Sequence, residues 1–114
     1  MSARVKMLIV FLNEVDRLND EPLYEVLMRR LHHLNVDGAT AHHGIMGFGL
    51  HHRLHHKGLF GISDDRPVTI TVVDSDARIR ALLPEVRSLV PDGLMLIVDA
   101  EVVAPAAEPP AATG

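Results

Sequence analysis

Residues 5–12 read VKMLIVFL. A continuous run of branched and apolar side chains of this length marks a β-strand covered on both faces. The alternative is the apolar centre of a leader peptide. That reading fails on length, because the uncharged part, Met7 to Leu12, spans six residues and runs straight into Asn13-Glu14-Val15-Asp16 with no small-residue cleavage site. The stretch is therefore expected to be a buried strand.

Working outward, Asn13 to Asn19 is polar and reads as a loop. Asn19 or Asp20 is expected to cap a helix whose first turn holds Glu21 and Pro22. Leu23, Val26, Leu27, Leu31 and Leu34 follow at helical spacing, with Asn35 to Asp37 as the exit before Gly38. Ala39 to Met46 is a second strand. A glycine-containing loop over 46–65 leads to Val68–Val73, where branched residues alternate with threonine. Asp74-Ser75-Asp76 caps a second helix carrying Ile79, Leu82, Leu83, Val86, Leu89 and Val90 on its apolar side. Pro84 falls inside this pattern and is expected to kink or split it. After the turn Pro91-Asp92-Gly93, Leu94–Val102 is the last strand.

Strand, helix, strand, long loop, strand, helix, strand is a doubled split β-α-β unit. The expected fold class is α+β: a ferredoxin-like βαββαβ sandwich, with two helices on one face of a four-stranded antiparallel sheet. The folded domain should span residues 1–103. The remaining APAAEPPAATG, residues 104–114, is rich in proline and alanine and reads as a disordered tail.

A lone sandwich of this kind leaves one sheet face in water, so its strands should alternate polar and apolar. Here Val5, Met7, Ile9 and Phe11 face one way, and Leu8, Val10 and Leu12 the other. In the last strand Leu94, Leu96 and Val98 oppose Met95 and Ile97. Identical copies covering the second face, in a closed homo-oligomer, are the economical answer.

The formal charge is −4 with histidines neutral, which gives no basic bias toward nucleic acid. Cysteine is absent, so disulfides, thiolate metal sites and cysteine nucleophiles are excluded. No window approaches the ~20 apolar residues of a membrane helix, and the expected location is the cytoplasm. Serine catalysis is disfavoured: Ser2 is terminal, Ser75 and Ser88 belong to the second helix or its cap, and Ser63 lacks a strand-turn-helix elbow. The chain reads as a binding protein rather than an enzyme.

Its chemistry is concentrated in HHGIMGFGLHHRLHHKG, residues 42–58, which holds six of the eight histidines. Gly44-x-x-Gly47-x-Gly49 is neither a dinucleotide fingerprint nor a P-loop. Such glycines either let backbone N–H groups approach an anion or let the chain pack tightly as it leaves the sheet. Arg53 and Lys57 add permanent positive charge to a segment with no acid before Asp64. Gly44, Gly47, Phe48, Gly49, Arg53 and Lys57 are thus the candidate contacts for a small anionic ligand. His51 and His55 lie four apart, as do His52 and His56, a spacing that lets two imidazoles share a divalent metal on a helix. A third ligand would have to come from His42, His43, Asp64, Asp65 or another subunit. An exposed loop that merely tolerates histidine is the bland alternative. His32 and His33 read as structural, near the negative end of the first helix. Asp99 and Glu101 read as rim groups.

DEPLYE at 20–25, GATAxxGIMGFG at 38–49, DRPVTIxVVDS at 65–75 and LLPEV at 82–86 resemble the DUF190 family of PII-like proteins over about residues 5 to 103. The resemblance implies the ferredoxin-like fold, a homotrimer, ligand sites in clefts between subunits, and a T-loop-like segment over 46–65. PII-like proteins generally sense a small ligand, often an adenine nucleotide. They pass its state to a partner such as a membrane transporter or an enzyme. The expected function is that of a PII-like signalling protein, with a divalent-metal-binding protein as the alternative.

Overall fold

The computed structural model describes residues 2–48 and 66–106. Strand β1 spans Ser2–Asn13, and a small hairpin of β2 (Arg17–Leu18) and β3 (Glu21–Pro22) follows. Helix α1 is Leu23–His33, β4 is Gly38–His43, β5 is Pro67–Asp74, α2 is Asp76–Leu89 and β6 is Met95–Val103. The main sheet runs β4-β5-β1-β6 and every pairing in it is antiparallel. This is the expected ferredoxin-like α+β sandwich.

The core lies between sheet and helices. Leu8, Val10 and Leu12 of β1 and Val68, Ile70 and Val72 of β5 meet Leu23, Leu27 and Leu31 of α1 and Ile79, Leu82 and Val86 of α2. Each such side chain, removed from water, contributes about 1.5–3 kcal/mol. Met95 and Ile97 of β6 pack against this cluster from the sheet's edge.

Three expectations need correction. Asn19 and Asp20 do not cap α1. Both have positive φ, 51° and 70°, and form the two-residue turn that pairs Leu18 with Glu21. Two successive left-handed residues suit a hairpin turn of the I′ kind, which asparagine and aspartate tolerate best after glycine. Pro22 becomes the residue flanking the helix, with no side-chain cap. Second, α2 is one helix through Pro84 and is not split there. Pro84 is exposed, so the hydrogen bond it cannot make is lost where water replaces it. Third, β4 stops at His43, not Met46.

The end of α1 is closed by Asn35, whose φ is 56°. Its N–H donates to the His32 carbonyl at 3.1 Å and that of Val36 to Leu31 at 3.5 Å, a Schellman termination with asparagine in the position glycine usually takes. Arg78 then ties this terminus to α2: its Nη2 donates to the carbonyls of Leu34 and Asn35 at 2.9 and 2.7 Å, and its Nε to Asp74 Oδ2 at 3.2 Å. Ser75 caps α2 as expected, its Oγ accepting from the Arg78 N–H at 3.2 Å. At the other end Arg87 Nη1 donates to the carbonyls of Val90, Pro91 and Gly93 at 2.9–3.1 Å. These clamps fix both helices against the sheet and so fix the ends of the strands.

Candidate functional site

The end of the sheet where β4 leaves and β5 returns collects the sequence-predicted ligand contacts that fall within the described residues. The Gly44 N–H donates to the Pro67 carbonyl at 2.7 Å, closing the last rung between the two strands. A Cβ at Gly44 would lie 2.5 Å from Pro67 Cγ, and one at Gly47 3.2 Å from the same atom. Neither glycine has positive φ. What they supply is room: the chain exits flat across the proline ring.

That flat exit turns the intervening side chains outward. Ile45 is 87%, Met46 66% and Phe48 78% exposed. Gly49, His51, Arg53, His55 and Lys57, with most of segment 46–65, lie outside the described residues.

The paired histidines at the end of β4 part company. By register His42 stands opposite Thr69 on the open face of the sheet, while His43 stands opposite the buried Val68 on the helix side. They cannot serve one site as a chelating pair. His43 Nε2 instead lies 3.0 Å from Glu14 Oε2, and its ring is 6.3 Å from that of Tyr24, inclined at 55°. The Glu14 N–H donates to the Arg66 carbonyl at 2.9 Å. Both roots of the loop are therefore fastened to residues at the end of β1 and β5. Glu14 was missed in the sequence reading, because its pairing with His43 spans three strands and no local pattern reports it. Among the described residues no group of three histidine, aspartate or glutamate side chains is placed to hold a metal ion.

The same end carries a recess of about 280 Å³ lined by Asp16, Arg17, Leu18, Leu23 and the 88–93 segment. The hairpin forms one of its walls. Arg17 Nη2 donates to the Asp20 carbonyl at 2.6 Å.

The open face of the sheet divides lengthwise. Across β4 and β5 it presents Thr40, His42, Thr69 and Thr71; across β1 and β6 it presents Met7, Ile9, Leu96 and Val98. Leu96 and Val98 are each 40% exposed, more than a well-covered strand residue would be. On the opposite face Lys6 pairs with Asp99. That contact is the first reason the Asp99 carboxyl sits below its ordinary range, and it fits the rim role read from the sequence.

Comparison with known proteins places this geometry. The model of the family DUF190, described as Uncharacterized ACR, matches residues 5–102. The UPF0166 protein of Aquifex aeolicus (strain VF5) is 28% identical over 98 residues, covering 86% of this chain and 92% of the relative. A UPF0166 protein of Methanocaldococcus jannaschii is 31% identical over 100 residues, covering 87% and 92%. Among solved structures, CPII from Thiomonas intermedia K12 bound to ADP, AMP and acetate superposes with a TM-score of 0.65 over 92% of this chain and 94% of that one, at 18% identity. A second CPII structure, a nitrogen regulatory PII-like protein bound to ADP, AMP and bicarbonate, gives 0.63 over 90% and 99%, at 17%. This likeness shows a shared fold. Among the described residues no helix is long and apolar enough to cross a membrane.

Proposed function

The chain belongs to the DUF190 family, and from that premise we propose that it is a PII-like regulatory protein that binds a small anionic ligand, an adenine nucleotide, between subunits of a homotrimer. The observation that carries this reading is the likeness over nine tenths of the chain to CPII, whose structures hold ADP and AMP. The apolar half of the open sheet face supports association, since a copy of the chain seated there would cover Leu96 and Val98. The clefts so created lie beside the Gly44–Phe48 exit. Gly44, Gly47 and Gly49 bring backbone close to the ligand, Phe48 offers a ring for stacking, and Arg53 and Lys57 neutralise the phosphates. Ligand contact favours one state of segment 46–65, and that state engages a partner such as a membrane transporter or another regulated protein. The protein acts by binding and not by turnover, in the cytoplasm. Residues 1–103 form the working domain.

The test is isothermal titration of the purified assembly with ATP, ADP, AMP and Zn²⁺, with its subunit number read by native mass spectrometry. Nucleotide should bind saturably, and Arg53→Ala should weaken it by about ten- to a hundredfold, the loss expected for a charge-assisted hydrogen bond. A monomer that ignores all three nucleotides sinks the reading. Tight Zn²⁺ uptake abolished by His51→Ala with His55→Ala would replace it with a metal-binding role.

A further inference from the structure

We propose that Glu14 is a positioning residue: it locks the departing and returning roots of segment 46–65 to each other and ties both to the start of α1. The contacts of the turn between β1 and β2 lead there. The Glu14 N–H donates to the Arg66 carbonyl at 2.9 Å, on the returning side. Its carboxylate Oε2 lies 3.0 Å from His43 Nε2, on the departing side. The turn itself is closed twice. The Asp16 N–H donates to the Asn13 carbonyl at 3.1 Å, and the Asn13 N–H donates to Asp16 Oδ2 at 3.0 Å. The Asp16 carbonyl then accepts at 2.8 Å from the N–H of Leu23, the first residue of α1.

A turn held in this way cannot follow the strands passively. Glu14 therefore presents one backbone donor and one side-chain acceptor at set places, each aimed at a different root. An ionised carboxylate only accepts, so the imidazole carries its hydrogen on Nε2. The His43 ring also lies 6.3 Å from that of Tyr24, inclined at 55°, and Tyr24 is the second residue of α1. The first turn of the helix is thus met twice, through the Asp16 carbonyl and through the His43 ring. The Gly44–Pro67 rung joins the same two roots, but it belongs to the sheet and does not reach α1. The His43 and Glu14 side chains are 45% and 42% exposed. A bond at that exposure opens and re-forms readily, where removing a partner from a buried pair would be far more costly. The lock rests on geometry alone. That it relays the bound state of segment 46–65 rests on the function proposed above, in which a ligand favours one state of the segment.

The test is hydrogen exchange at single amides of the full-length protein, read first without ligand, since exchange reports how often a local bond opens. Glu14→Ala and His43→Leu should each speed exchange at the Gly44 and Leu23 amides by about two- to fivefold, the worth of an exposed pair. The double variant should go no faster than either single one. Glu14→Gln, which still accepts from the imidazole, should stay near the parent. The amides of Leu8 and Val10 in the middle of β1 should not change, whereas a general loss of stability would move them as well. Additive effects in the double variant overturn the proposal, and so does parent-like exchange at Gly44 or Leu23 in Glu14→Ala. Saturating ADP is then added. It should shift Leu23 exchange in the parent and leave it unmoved in Glu14→Ala, and an equal shift in both overturns the relay. Failure of ADP to bind the parent counts against the nucleotide reading alone, because the ligand-free series has already decided the lock.

Discussion

A methyl group placed on Gly93 would sit 2.7 Å from the Phe11 carbonyl oxygen and 2.8 Å from Val90 Cγ1. Neither neighbour can retreat, since one is backbone of the central strand and the other is a core side chain. Gly93→Ala should therefore lower the stability by about 1–3 kcal/mol, the usual penalty of overpacking, in urea unfolding. The loop root offers a graded comparison. Gly44→Ala meets Pro67 at 2.5 Å and Gly47→Ala at 3.2 Å, so the first should destabilise clearly and the second little. Asp74 is the acid to follow with pH. Burial works against its charge, but the N–H groups of Ser75 and Asp37 and the Arg78 guanidinium outweigh it, and the carboxyl lies below its ordinary 3.8. A carboxyl lowered by folding adds stability that is complete above its ordinary range and disappears as the pH falls through the lowered value. Asp74→Asn should thus cost about 1–3 kcal/mol at neutral pH. The gap from the parent protein should close only below pH 3.8, as read from denaturation midpoints across an acid series.

Among the elements, α2 carries a residue its conformation does not favour. Pro84 cannot donate to the carbonyl of Arg80, and proline inside a helix is about 3 kcal/mol worse than alanine. Because the residue is exposed, Pro84→Ala should raise stability by about 1–3 kcal/mol, measured by thermal and urea unfolding. How much of each element the sequence disclosed follows from how local its determinants are. The core strands and both helices were legible because burial on one side prints a repeat of two or of three to four into the chain, as Val68, Ile70 and Val72 or Leu23, Leu27 and Leu31 do. The β2–β3 hairpin was not. Asn19-Asp20 carries the same signal for a helix cap as for a left-handed turn, and what decides between them is a tertiary bond, the Leu23 N–H donating to the Asp16 carbonyl at 2.8 Å. Pro84 misled for a related reason: the rule against it assumes the lost bond is buried. At the candidate site the glycines signalled that the chain leaves the sheet, but the sequence carried the strand on to Met46 where it ends at His43. The separation of His42 from His43 follows from strand alternation, and Glu14 as a partner of His43 required the three-strand register.

At the level of the whole molecule, the open sheet face divides lengthwise into a polar and an apolar half, and the proposed assembly rests on the apolar one. Leu96→Glu would place a charge at the centre of the apolar half, opposite Ile9. It should dissociate the proposed homotrimer to monomers in size-exclusion chromatography with light scattering, while circular dichroism keeps the parent helix and strand content, since residue 96 faces away from the core. A different outcome follows from the rung between Gly44 and Pro67. It anchors the departing and returning backbone on adjacent strands, which lie about 4.8 Å apart, so everything between those two points is an insertion hung on a finished hairpin. Closing such an insertion costs only about 0.6 kcal/mol for each doubling of its length. On the proposed function residues 46–65 carry the recognition, and they are expected to be exchangeable as a cassette. Swapping them for a two-residue asparagine-glycine turn should leave a protein that folds as before and has lost whatever the cassette recognises, and transplanting the cassette of another family member should bring that member's preference with it.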